Sequence, residues 1–316
     1  MSIGPIRVAV VGPTASGKSS VAMVVAESEG DVDLISIDSM QVYRGMNIGT
    51  AKPTPAERSR VPHHLTDLVD ANQEFAVAEF QRAYNGVLEE ITERGRRAIL
   101  VGGTGLYHRA VIDGLNLPGE WPEIRTRLQA EVGRFGAPSL HARLVACDPA
   151  AAAKTEPNNA RRIVRALEVC EGSGRPFSSF GPGLEAYPPT PVAQIGLRWE
   201  RGVLADRIGQ RVHQMMQDGL LNEVCGLADV GLSKTAAQAL GYKEILAHLE
   251  GSVSLDEAVD QVIVRTRQFA VRQLRWFQRD PRVRWVDIEH DPVAEASEVV
   301  RGALNGSSQN EQAGNG

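Results

Sequence analysis

The octapeptide Gly12-Pro13-Thr14-Ala15-Ser16-Gly17-Lys18-Ser19 constrains this chain more than any other segment. It fits the G-x-x-x-x-G-K-[ST] pattern of a phosphate loop. The apolar run Val8–Val11 precedes it, and a helix-competent stretch, Ser19–Glu29, follows. Strand, glycine turn and helix in that order aim backbone amides and a helix N-terminus at one point, where they bind phosphate oxygens. Lys18 adds a positive charge, and the Ser19 hydroxyl is a ligand for Mg2+. A nucleotide is the default occupant of such a loop, and any diphosphate satisfies the same geometry.

The same pattern recurs along the first third of the chain. The apolar run Leu34–Ile37 ends at Asp38, an amphipathic helix is expected over Ala76–Glu93, and the run Ala98–Val101 ends at Gly102-Gly103-Thr104-Gly105 with a helix behind it. Short apolar strands alternating with longer helices predict an α/β fold, a phosphate-loop NTPase-like parallel sheet flanked by helices. Between Leu117 and Pro191 ten prolines interrupt the chain. Helices are expected there over Pro122–Phe135, Ser139–Ala146 and Asn159–Glu171, and no strand. Val192–Trp199 then reads as a strand returning to the sheet. Helices follow over Gly202–Asp218, Leu220–Asp229, Lys234–Leu249 and Leu255–Gln278. The expected organisation is a core of residues 1–116 and 192–301, a helical insertion at 117–191, and a disordered polar tail at 302–316.

Hydrophobic residues make up 42% and charged residues 23% of the chain, the balance of a globular protein rather than a disordered one. The net charge of −5 excludes a globally basic nucleic-acid coat protein but leaves room for local basic faces. Two stand out. One is Arg161-Arg162-Ile163-Val164-Arg165. The other, Arg265–Arg284, sets seven arginines against Asp280 and carries Phe269, Trp276 and Phe277. Each reads either as a polyanion-binding face, with aromatics to stack on bases, or as a solvated helix face. Cys147, Cys170 and Cys225 are far apart in sequence, which argues against a zinc site or a disulfide framework and suits a reducing cytoplasm. His63-His64 has no partner at metal-ligand spacing. The run Ile6–Val11 is too short for a signal-peptide core, and no stretch approaches the about 18 apolar residues of a membrane span.

Two further segments belong with the phosphate loop. Asp38, in Asp38-Ser39-Met40-Gln41, stands where α/β sheets bind ligands, at the carboxyl end of a strand. It can act as a general base, as an outer ligand of the metal, or only as a helix cap. The turn Gly102–Gly105 faces the same cleft, with Thr104 as its one hydroxyl. Such glycines serve a tight turn as readily as a ligand.

The series of motifs resembles the bacterial tRNA dimethylallyltransferases (isopentenyl-diphosphate:tRNA transferases) from Ile6 to about Trp285. The residues that carry the resemblance are the phosphate loop at 12–19, Asp-Ser-Met-Gln-Val-Tyr at 38–43, Ile-Gly-Thr-Ala-Lys-Pro-Thr at 48–54 and Pro-His-His-Leu at 62–65. Gly-Gly-Thr-Gly-Leu-Tyr at 102–107, Arg-Ile-Val-Arg-Ala-Leu-Glu-Val at 162–169, Gly-Tyr-Lys-Glu at 241–244 and Thr-Arg-Gln at 266–268 complete it. One departure concerns Glu156-Pro157-Asn158-Asn159, where the family usually has Pro-Asn-Asp; the amide at 159 keeps the capping role.

The resemblance implies transfer of a dimethylallyl group from dimethylallyl diphosphate to the exocyclic amine of the adenosine 3′-adjacent to the anticodon, in tRNAs reading codons that begin with U. The loop at 12–19 then holds the diphosphate, with Lys18 and Mg2+ on Ser19 neutralising the leaving group and Asp38 taking the proton. Arg211 matches a family arginine that reaches the diphosphate, Thr104 a residue that contacts the adenosine, and Arg125 one that contacts the tRNA. Asp38, Ser39, Met40 and Gln41 are expected to read the flipped adenine, the Gln41 amide offering donor and acceptor. Arg161, Arg162, Ile163, Val164 and Arg165 are expected against the anticodon stem-loop. The family resemblance leans towards a monomer without an obligate protein partner. Three other readings share some of these features: an adenylate isopentenyltransferase acting on AMP, a small-molecule phosphate-loop kinase, and a non-catalytic tRNA-binding protein.

Overall fold

The apolar runs that precede the glycine turns become parallel strands in a computed structural model that describes residues 4–181 and 183–306. In chain order the first part comprises β1 (Ile6–Val11), α1 (Lys18–Glu29), β2 (Val32–Ile37), β3 (Tyr43–Arg44), α2 (Pro55–Arg60), β4 (His63–His64), β5 (Val69–Asp70), α3 (Val77–Glu93), β6 (Arg97–Gly102) and α4 (Gly105–Ile112). Four helices follow: α5 (Pro122–Phe135), α6 (Ala137–Cys147), α7 (Pro149–Ala153) and α8 (Ala160–Ser173). The chain then forms β7 (Ala193–Trp199), α9 (Arg201–Gln217), α10 (Leu220–Val230), α11 (Tyr242–Leu249), α12 (Leu255–Gln278), β8 (Val283–Ile288) and α13 (Pro292–Leu304). It divides into two units, one of residues 1–112 and 189–316, the other Asp113–Pro188.

The first unit is built on a six-stranded sheet in the order β4-β2-β6-β1-β7-β8, every pair parallel. Both faces are covered, which is why β1, β2 and β6 are continuous apolar runs. Val8, Val10, Leu34, Ile99 and Val101 face the layer of α1 and α13. Ala9, Val11, Ile35, Ile37, Ala98 and Leu100 face the opposite layer, which includes Phe80, Tyr107, Tyr242 and Phe277. The register matters for the site. Val11 and Ile37 both pair with Gly102, so β1, β6 and β2 end level. The fit at Gly102 is tight, because a Cβ there would lie 2.1 Å from the Ile37 carbonyl oxygen.

The structure departs from the expected elements in several places, the short β3, α2, β4 and β5 between β2 and α3 among them. The helix expected over Lys234–Leu249 is broken: a 3-10 turn spans Ala236–Gln238, Gly241 adopts φ +89°, and α11 starts at Tyr242. Burial of Tyr242, whose hydroxyl donates to Glu223 at 2.6 Å, turns the chain there. β8 and α13, which the sequence reading did not contain, complete one sheet edge and cover α1. Residues 302–304 of the tail expected from Gly302 belong to α13, whose Leu304 is fully buried; residues 307–316 of that tail lie outside the described residues. α7 is a helix of five residues capped by Asp148, too short to show a period. No helix among the described residues is long and apolar enough to cross a membrane.

The second unit has its own core of Leu128, Leu140, Leu144, Ile163, Val164 and Leu167 with small residues between them. Asn159 caps α8 by accepting from the Arg162 amide at 3.2 Å. Its polar centre is Glu168, which is fully buried and accepts from the Trp121 amide at 2.8 Å and from Arg125 Nε and Nη2 at 2.9 and 3.0 Å. Arg165 Nη1 lies 3.1 Å from the same carboxylate. Burial pushes the Glu168 carboxyl up, but Arg125, the Trp121 amide and Arg165 outweigh it and hold the group below the usual carboxylate range. Glu168→Ala is expected to destabilise this unit by about 1–3 kcal/mol, the cost of orphaning a buried donor. Hydrogen exchange should report faster opening of α5 and α8 with the sheet unchanged.

Candidate active site

Level strand ends place three turns side by side along the carboxyl edge of the sheet: residues 12–17 after β1, Asp38–Gln41 after β2, and Gly103–Gly105 after β6. Neighbouring parallel strands stand about 4.8 Å apart, so all three turns fall within about 10 Å of one another. Together with α9 and α12 they enclose a cavity of about 580 Å³, lined among others by Lys18, Ser19, Asp38, Gln41, Thr104, Arg211 and Gln273. That is the size of a small-molecule site.

The loop at 12–17 is held from outside by its carbonyls. Lys18 Nζ donates to the Pro13 oxygen at 2.5 Å, Arg207 Nε to the Ala15 oxygen at 3.1 Å, and Trp199 Nε1 to the Ser16 oxygen at 3.1 Å. The Arg207 guanidinium lies 4.2 Å above the Trp199 ring, which fixes both donors. Gly17, at φ +92°, opens α1 without a side-chain cap, so the first helical amides have no side-chain acceptor. A Cβ on Gly17 would meet Pro292 of α13 at 2.4 Å. The helix N-terminus is thereby left for an anion.

The charges around that helix N-terminus have the sign that suits an anion. Burial depresses Lys18, and the neighbouring Arg211 depresses it further; Asp38 opposes both, and the net value falls to about 7. Burial also lowers Arg211, against the pull of Asp38. Asp38 therefore stands within electrostatic reach of both cations. Neither cation has a carboxylate bonded to it among the described residues, and Arg211 makes no hydrogen bond there. Lys18 is buried and Arg211 partly so, and an anion between them would offset the cost of taking their charge out of water.

Asp38 uses one oxygen for the fold, because Oδ1 accepts from the Met40 amide at 2.8 Å. Thr104 Oγ1 accepts from the Ser39 amide at 3.1 Å, tying the second and third turns together. Ser39 and Met40 also line the cavity. Gln41 does not fit the base-reading role expected of its amide. Its Oε1 accepts from Ser36 Oγ at 2.7 Å, and its Nε2 donates to the Thr50 and Ala51 carbonyls at 3.1 and 3.2 Å. The carboxamide is used up in holding the 47–52 segment, whose other anchor is Glu223, an acceptor for the Asn47, Ile48 and Gly49 amides. The sequence carried no signal for Glu223, Trp199, Arg207 or Gln273, since each acts through backbone atoms far away in the chain.

The second unit sorts its expected residues just as clearly. Arg161 and Arg162 are exposed, whereas Ile163 and Val164 are buried in the helical core and present no side chain to a ligand. Arg125 and Arg165 are engaged on Glu168, which needs cations because it is buried. In α12, Arg265 pairs with Glu244 and Arg282 beyond it with Asp280. Arg272, Arg275 and Arg279 are exposed and share one face by their spacing. Phe277 is buried and Trp276 packs on the core, so of the three aromatics only Phe269 lines the cavity.

Comparison with known proteins gives one family. A model described as IPP transferase matches residues 41–280. The chain is 49% identical over 296 residues to a tRNA dimethylallyltransferase of Pseudarthrobacter chlorophenolicus, covering 93% of this chain and 97% of the relative. It is 47% identical over 303 residues to a tRNA dimethylallyltransferase of Streptomyces coelicolor, covering 95% of each. The crystal structure of the full-length tRNA isopentenylpyrophosphate transferase of Bacillus halodurans aligns with a TM-score of 0.67 at 42% identity, over 96% of this chain and 98% of that one. A eukaryotic dimethylallyltransferase acting on tRNA aligns with a TM-score of 0.80 at 25% identity, over 98% and 80%.

The depressed Lys18 makes anion binding proton-linked. A bound polyanion raises the Lys18 pKa, so binding above pH about 7 draws a proton onto the amine. The Lys18 contribution to affinity for inorganic diphosphate should be complete below pH about 7 and shrink as pH rises through it. Calorimetry in buffers of different protonation enthalpy should detect proton uptake at pH about 8 in the wild type and less in Lys18→Met. Equal uptake in the two would remove Lys18 from the anion site.

Proposed function

The chain belongs to the IPP transferase family, and on that premise we propose that it transfers a dimethylallyl group from dimethylallyl diphosphate to the exocyclic amine of a tRNA adenosine. The observation that carries this reading is the placement of Asp38 in one cavity with Lys18 and Arg211, two cations without a bonded carboxylate. The acceptor is the adenosine 3′-adjacent to the anticodon in tRNAs reading codons that begin with U. A single-stranded loop lets that base leave its stack at low cost, as entry into a cavity requires.

The chemistry follows from the geometry. The α1 amides, Lys18 and Arg211 bind the diphosphate and stabilise the charge that grows on it as the bond from carbon to oxygen breaks. The amine nitrogen forms the new bond to that carbon. Its lone pair is delocalised into the adenine ring, so the amine gains acidity only as the bond forms. Asp38 Oδ2 faces no partner among the described residues and accepts the proton. Thr104, on the turn after β6 and bonded to the Ser39 amide, orients the acceptor beside Asp38. The donor set also suits Mg2+. Ser19 and Asp38 line one cavity, and this ion takes one or two protein oxygens with the rest from phosphates and water. When bound, Mg2+ supplies further charge neutralisation to the leaving diphosphate. The exposed Arg161 and Arg162 contact the tRNA backbone.

Mass spectrometry of nucleosides from tRNA incubated with the enzyme, Mg2+ and dimethylallyl diphosphate tests the reading. Prenylated adenosine with release of diphosphate is expected, and AMP should not replace tRNA as acceptor. Asp38→Asn should lower the single-turnover rate about 10²–10⁴-fold while tRNA affinity stays within a few-fold. An undiminished rate would take Asp38 out of the mechanism, and full rescue by added Mg2+ would make it a metal-shell residue. Arg161→Ala and Arg162→Ala should each flatten the log–log salt dependence of tRNA binding by about 0.7–0.9. Unchanged slopes would mark a solvated helix face.

A further inference from the structure

Gln273 lies on α12, remote in sequence from both glycine turns, yet its carboxamide joins them. Oε1 accepts from the Thr14 amide at 2.8 Å, and Nε2 donates to the Gly103 carbonyl at 2.9 Å. The side chain is 7% exposed. The fit is close: a Cβ on Gly103 would lie 2.2 Å from Gln273 Nε2. One helical turn on, Trp276 makes the same kind of contact with Gly105, where a Cβ would lie 2.1 Å from its Nε1. α12 thus clamps the turn after β6 at two points and the turn after β1 at one.

We propose that Gln273 is a positioning residue, which holds the diphosphate cradle in register with the turn that carries Thr104. The inference rests on the prenyl-transfer reading above. Its physical basis is the chemistry of a carboxamide. The Thr14 amide needs an acceptor and the Gly103 carbonyl needs a donor, and the Gln273 carboxamide supplies both whatever the pH. With its amide tied back to Gln273, Thr14 is not among the donors facing the anion, so the curvature of the loop is set from α12. The link continues from Gly103 to Thr104, and from Thr104 Oγ1 to the Ser39 amide beside Asp38. A single side chain therefore connects the half of the site that holds the leaving group to the half that holds the amine. Loss of this register slows the chemical step without touching the tRNA contacts of the second unit, because attack requires reacting atoms about 3–3.5 Å apart.

The test compares Gln273→Met, of similar length without hydrogen bonds, with Gln273→Glu, which keeps the acceptor and regains the donor only when protonated. Gln273→Met should lower kcat by about 10–100-fold, with the KM for tRNA changed by less than about two-fold. A buried carboxyl facing a carbonyl has a raised pKa, so Gln273→Glu should be more active than Gln273→Met, by a margin that grows as pH falls from about 8 to about 6. Each rate is taken relative to wild type at the same pH. Wild-type kcat in Gln273→Met overturns the proposal. So does Gln273→Glu activity no higher than that of Gln273→Met at the lowest pH, or a fall in kcat matched by KM and thermal midpoint together. Should Gln273→Met fail to fold, the rise of Gln273→Glu towards wild type as pH falls, or its absence, decides alone. A wild-type enzyme that transfers nothing to tRNA removes the underlying reading instead, which keeps the two failures distinct.

Discussion

Everything at the site depends on β1, β2 and β6 ending at the same height. Gly102 is paired with Val11 on one side and Ile37 on the other, and the absence of a side chain lets the Ile37 carbonyl come within what would be 2.1 Å of a Cβ. A shift of one residue in either pairing would move a turn by about 3.3 Å and turn each apolar side chain to the other face of the sheet. The hydrophobic packing on both faces therefore enforces the catalytic register. Phe80, Tyr107 and Phe277 pack on one face of the sheet, and α1 and α13 cover the other.

On that frame the electrostatics are one-sided. Burial depresses both Lys18 and Arg211, Arg211 depresses Lys18 further, and Asp38 opposes the shift in each. Elsewhere the same unit buries cations with care. Lys52, equally hidden, is bonded to Asp67 at 2.6 Å and to the Tyr43 carbonyl. The contrast lies in the carboxylate: Lys52 has one bonded to it, and Lys18 and Arg211 have none among the described residues. In the second unit the same logic separates Arg125 and Arg165, which neutralise Glu168, from Arg161 and Arg162, which face water.

Much of this was readable in the sequence. The phosphate loop, Asp38 at the end of β2, and Gly102–Gly105 after β6 are local signals, because each is a short apolar run stopped by residues with special backbone or charge. Helix limits in the second unit also followed from prolines and caps: α5 spans Pro122–Phe135 as expected, and Asn159 caps α8. Grouping residues by charge alone was less informative. Ile163 and Val164 travelled with their arginine neighbours in sequence but point into the core, since residues three and four apart share a helix face and adjacent ones do not. Gln41 looked free to read a base and proved to be spent on Ser36, Thr50 and Ala51.

Residue type and short spacing set out the chemistry on offer: a loop of the phosphate-binding pattern, an acid and a hydroxyl after apolar runs, and arginine-rich helices. Those are local properties, set by residue type and by spacing within a few positions. Which of these groups meet in one cavity came from long-range packing. The distance from Thr14 to Gln273 in the chain is most of its length, yet they share a hydrogen bond of 2.8 Å. Trp199, Arg207 and Glu223 hold backbone atoms whose own side chains give no hint of a partner. Such contacts leave no period or motif, because a backbone amide or carbonyl is present at almost every position and selects no residue type.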